Sequence, residues 1–288
     1  MTEYWQDGKG GPAACAVHDP DPAVFEQALG IARGVLPLVE GLFRDGWSGA
    51  PRSGPEPSPE SEEIGRTLPV AWLDTLAPGA DTSEVPVRMI VWMLTDPQSG
   101  SVAAATDNGV RNHLRAIASA HLASLDGDPP SALAWSALRR QAVEMTDGLP
   151  PLSADAKAAT TMESAAWPGD RRGSVALDTY MAFMNEGTAT AAAEVGWTLE
   201  HQALQDRLDR DLLLVWETAR KDLVGEARET AGREAQSAYQ AQRERDHPDL
   251  IKLNLAYRNA ANRVRWARLE VVRAGFFDLL RRAPILTD

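Results

Sequence analysis

The chain has one cysteine, Cys15, among 288 residues, which excludes an internal disulfide framework and sets the expectation of a reducing, cytoplasmic compartment. No apolar run approaches the roughly 18 residues that a bilayer-spanning helix needs, so no membrane partner is expected. The opening stretch MTEYWQDGKGG is acidic and polar and does not read as a secretory signal. Basic charge is short: 29 Lys and Arg stand against 41 Asp and Glu, a net charge of −12. The imbalance is local, with 13 basic and 27 acidic residues in 1–200 and 16 against 14 in 201–288. An acidic front and a mildly basic tail make nucleic acid an unfavoured partner. Proline is missing between Pro168 and Pro248, and because proline is the strongest interior helix breaker, long helices are expected there.

Catalytic and metal motifs are missing as well. DGKGG has a lysine but neither the upstream glycine nor the following Ser or Thr of a phosphate-binding loop, and no G-x-G-x-x-G occurs. GWSGA resembles a hydrolase nucleophile elbow, but Ala50 stands where G-x-S-x-G requires glycine. Its W-x-G tripeptide resembles the turn of the WxG helical-hairpin proteins, yet a Pro-rich stretch follows in place of a second helix. A dinuclear carboxylate site needs Glu-x-x-His on two helices, and only Glu244–His247 fits, in a charged stretch. Asp206, Asp209 and Asp211 cluster, but they point away from the neighbouring leucines and read as a solvated face. No catalytic residue, metal ligand or cofactor is assigned.

What is present is helical periodicity, and the fold class expected is all-α: a bundle of short and long helices with a long C-terminal antiparallel hairpin. Residues 1–20 read as a loose segment and 21–45 as an N-terminal helix. In that helix Asp21 is the cap, Pro22 lies in the first turn, Phe25, Leu29, Ala32, Leu36, Val39 and Phe43 form a stripe, and a kink is expected at Pro37. Residues 46–63 are a Pro/Ser/Gly/Glu-rich linker. Residues 64–168 hold short helices, with Pro86, Asp128 and Ser153 as start signals and Gly148 as a stop. Residues 169–288 hold the hairpin, expected to pack on the short helices. Leu204, Leu208, Leu212, Val215, Ala219 and Leu223 make one stripe, followed by a segment seamed with alanines. A continuous helix of some 50 residues there would reach about 75 Å, and the simplest topology folds back at 246–249. Beyond it, Leu250, Leu253, Tyr257, Ala260, Val264, Ala267, Val271 and Ala274 repeat at a coiled-coil period. Six of the nine tryptophans, one per expected helix, read as core anchors.

One feature of that last helix carries a site hypothesis. Placed on a wheel at about 100° per residue, Lys252, Asn259, Arg263, Glu270 and Arg281 make a polar strip. Asn254, Arg258, Asn262, Arg265 and Arg268 form a second ladder within the otherwise apolar arc. Buried guanidinium groups need anionic partners. The first expectation is carboxylates of the chain itself. The second is an anionic small molecule, bound by Arg258, Arg265 and Arg268 and oriented by Asn254 and Asn262, and the third is another protein chain or, least favoured, nucleic acid. The function read from these observations is a non-enzymatic helical binding or scaffold protein acting through protein–protein contacts, with a protein partner or with itself as a homo-oligomer. The rivals are a helical enzyme or carrier with an internal anion pocket, and an acidic inhibitor of a basic partner.

Overall fold

The computed structural model describes residues 5–6, 9–11, 14, 17–19, 21–49, 72, 74–169 and 173–286. Most of the Pro-rich stretch, from residue 50 onward, and most of residues 1–20 lie outside them. The fold is all-α; the strands among the described residues are β1 (Trp5–Gln6) and β2 (Lys9–Gly10), a minimal antiparallel pair. No described helix is long and apolar enough to cross a membrane. The chain forms two compact units, residues 1–189 with 262–288, and residues 190–261.

The first unit begins with α1 (Pro22–Leu29), capped by the Asp21 carboxylate accepting the Ala23 N–H. The expected break at Pro37 falls earlier. Gly30 ends α1 in the left-handed region at φ 67°, which costs glycine little. A short 3-10 turn (Arg33–Val35) then leads into α2 (Leu36–Gly49). Pro37 therefore sits in a first turn, where a missing N–H does no harm. The break resets the helical phase, so Val35, Leu38 and Leu42 join Leu36 and Val39 in the core while Leu29 is exposed.

Next come α3 (Val85–Thr95), α4 (Ser101–Ala104), α5 (Asn108–Leu125), α6 (Ala132–Asp147) and α7 (Ala154–Ala165). Pro86 opens α3 as expected, and the Ser153 hydroxyl caps α7 by accepting the Ala156 N–H. At α6 the cap is the Ser131 hydroxyl, on the Ala134 N–H, and not Asp128, because Pro129 and Pro130 lie outside the helix. The central helix is α8 (Ser174–Asn185), which packs against α2, α3 and α7 and buries Tyr180 and Phe183 completely. The C-terminal half of α12 (Pro248–Arg281) completes this core with Leu269, Val272, Phe276 and Leu280.

The second unit contains the end of α9 (Gly187–Val195), α10 (Leu199–Arg220), α11 (Gly225–Asp246) and the start of α12. Here lies the long helical hairpin, with arms α10 and α11. They run antiparallel: the Arg220 guanidinium meets Glu229, the Tyr239 hydroxyl donates to the Leu208 carbonyl, and Arg243 reaches Asp209. The reversal falls at 221–224 instead of 246–249. Asp222 and Gly225 both have positive φ there, so no helix of some 50 residues forms. A second break follows at His247, and Pro248 opens α12.

The coiled-coil stripe of α12 is only half realised. Leu250 and Ala260 are buried and Leu253, Tyr257 and Val264 half-buried, but Ala267, Val271 and Ala274 are exposed. Past Val264 the buried side turns by roughly 120° on the wheel, to the arc holding Arg265, Leu269, Val272 and Phe276. Gly275 marks how closely that half is seated, since an added Cβ would lie 2.6 Å from the Trp92 ring. Gly275→Ala should therefore lower stability by about 1–3 kcal/mol through overpacking against a rigid indole, read as a lower urea midpoint with an unchanged m-value.

Candidate functional site

The ladder of α12 divides where the buried side turns. Arg258 and Asn262 are exposed. In the second unit, Asn254 donates from Nδ2 to Gln205 Oε1 at 2.7 Å. The same Gln205 oxygen accepts from Arg243 Nη2 at 2.5 Å, and Arg243 Nη1 donates to Asp209 at 2.9 Å. This polar knot joins α10, α11 and the start of α12. Beside it Trp197 stacks on Tyr257 at 5.0 Å between ring centres. His201, on the leucine side of α10, completes a reciprocal cap with Thr198.

In the first unit, Arg265 and Arg268 meet carboxylates of the chain itself. Asp45, on α2, is only 2% exposed. It accepts from Arg265 Nη2 at 2.8 Å and from the Tyr180 hydroxyl at 2.7 Å. Burial first, and the neighbouring carboxylate second, push the Tyr180 hydroxyl far above its ordinary pKa. It is thus a permanent donor and not a base. Glu186, between α8 and α9, is 5% exposed and accepts from Ser101 Oγ and Arg268 Nη2, each at 2.5 Å. Arg268 also lies over the Phe183 ring, 3.8 Å from its centre. Burial pulls the Arg268 pKa down and Glu186 opposes that shift.

The sequence singles out both arginines but none of their partners. A signal was there: Asp45 follows Leu38 and Leu42, and Glu186 follows Thr179 and Phe183, at steps of four and three. Each acid therefore continues a buried helix face and must find a donor. Each carboxylate takes one guanidinium and one hydroxyl donor, an arrangement that fastens helices together.

The other buried titratable groups are similarly committed. His113 Nε2 bonds the Leu138 carbonyl at 2.8 Å, and His121 Nε2 bonds the Ala165 carbonyl at 2.9 Å. His121 is fully buried, 4.9 Å from the Trp135 ring centre, and its Nδ1 has no partner among the described residues. Among the described residues no group of three or more His, Cys, Asp or Glu side chains could hold a metal ion. Among the described residues a cavity of about 370 Å³ is lined by Leu29, Ile31, Leu76, Pro78, Thr82 and Leu286 among others, and by neither carboxylate. No protein family, curated protein or solved structure matches the chain.

Two outcomes test this site. Breaking one partner of a buried ion pair strands the other charge. Arg268→Met should therefore cost about 3 kcal/mol, while Glu186→Met combined with Arg268→Met should cost clearly less than the sum of the single changes. Urea unfolding of the four-member cycle measures it. For His121, burial outweighs the carbonyl hydrogen bond and holds the pKa below 6.5. The unfolded chain then takes up the proton first as the pH falls. The stability tied to this group is complete above pH 6.5 and is lost below it. Unfolding curves between about pH 6.5 and 5 should fall less steeply for His121→Phe than for the natural protein.

Proposed function

We propose that this is a non-enzymatic helical interaction protein, working through protein–protein contacts in a reducing compartment, with the α10–α11 hairpin as its working surface. The observation that carries the reading is the outer face of α10. Its inner stripe is closed by α11: Leu208 is buried and Leu204, Leu212 and Val215 are half-buried. On the opposite face Leu213 and Leu214 are 54% and 60% exposed, and Val224 at the turn is 82% exposed. Single exposed apolar residues are ordinary, but adjacent leucines on a two-helix arm form a patch suited to a protein surface. The reading is supported further by the commitment of every buried acid and histidine described above to internal bonds. Arg265 and Arg268 are likewise engaged, so the charges of an internal anion pocket are already spent on Asp45 and Glu186.

The test is an association assay with the immobilised full chain and source-cell extract, at low and high salt. The double variant Leu213→Lys with Leu214→Lys should retain its helical circular dichroism and melting temperature, because both side chains face solvent. It should also lose at least tenfold in the amount of specifically bound protein, the chain's own second copy included. Unchanged binding by that variant would remove the hairpin from the reading.

A further inference from the structure

The outer face of α10 reads the same in both directions when charge signs are exchanged. At about 100° per residue, Ala203, Asp206, Arg210, Leu213, Leu214 and Glu217 share a narrow outward arc, which Lys221 and Val224 continue across the helix end. All eight are exposed. Around the midpoint between Leu213 and Leu214, Arg210 is the counterpart of Glu217, Asp206 of Lys221, and Ala203 of Val224. The side chains of Arg210, Glu217 and Lys221 have no hydrogen-bond or ion-pair partner among the described residues. Asp206 accepts only from Gln202, on Oδ1 at 2.7 Å, which leaves its other oxygen open.

We infer that this face is a homodimer interface, in which α10 of one chain docks antiparallel on α10 of a second copy about a two-fold axis between Leu213 and Leu214. The inference rests on the protein-contact reading above and names its partner. In this register both adjacent leucines meet their own equivalents at the centre, and each Arg210 faces the partner's Glu217. Each Asp206 lies diagonally across from the partner's Lys221, within reach of that long side chain. The apolar pair of Ala203 and Val224 closes each end. A parallel two-fold arrangement would instead set Asp206 against Asp206 and Arg210 against Arg210, so the charges select the direction as well as the partner. The acid-to-base steps of four residues also suit contacts within one helix. Those contacts are not made here, and they would not require two leucines at the centre of the pattern.

Sedimentation equilibrium of the full chain at micromolar concentrations tests this with four proteins: the natural chain, Arg210→Glu, Glu217→Arg, and both together. The natural chain should be a dimer. Each single reversal creates two like-charge contacts per dimer and should weaken association about tenfold. The double reversal restores opposite charges across the interface and should return to within about threefold of the natural chain. The exposed positions should leave the melting temperature of the dilute protein unchanged. A monomeric natural chain overturns the inference, and the association assay above then judges the wider reading separately. A dimer indifferent to both single reversals, or a double reversal no tighter than the singles, overturns this interface while self-assembly itself stands.

Discussion

A carboxylate removed from water must meet a donor, and two arginines three residues apart on α12 meet two such carboxylates and organise the larger unit. Arg265 draws Asp45 from α2 and Tyr180 from α8 to one point. Arg268 draws Glu186 and the Ser101 hydroxyl at the start of α4 to another. Neither pair adds much net stability over an apolar alternative. What they supply is register, because a slip of any of these helices along α12 would leave a charge buried and alone. The apolar contacts of Leu269, Val272 and Phe276 then fill around a position that electrostatics has already set.

The same logic explains how much could be read beforehand. Local signals were legible: Asp21 and Ser153 cap their helices, Pro86 opens one, and the proline-free stretch holds the long ones. Misplacements arose where two local signals competed. Gly30 ended a helix that Pro37 was expected to bend, Ser131 took the cap from Asp128 across two prolines, and Asp222 with Gly225 turned the chain inside an otherwise unbroken pattern. Of the ladder, the arginines were visible because charge on an apolar arc stands out. Their partners were not, since Asp45 lies 220 residues from Arg265 and Glu186 lies 82 from Arg268. Periodicity carries no information about which distant helix an arc will face. That is also why Arg258, near in angle to Arg265, is exposed while Arg265 is engaged.

The proposed function rests on where unmet requirements remain. In the core they are nearly exhausted: acids hold arginines and hydroxyls, and histidines hold carbonyls. On the outer face of α10 they persist, as leucines in water and charges without partners. A surface of that kind is completed by another surface of opposite charge order, and this helix already carries the opposite order of itself.

The hairpin has a further property that follows from its slenderness. Leu208 is the buried residue of α10, and Gly232, set against Trp216 and Arg220, is that of α11. Two arms joined by so little interior have little buried apolar surface to lose on separating, while the first unit is held by a broad apolar cluster. Local opening free energy scales with such burial. Amide hydrogens of α10 and α11 will accordingly exchange through sub-global opening, well before those of α8. Occupation of the outer face would slow that exchange without altering a single bond in the core.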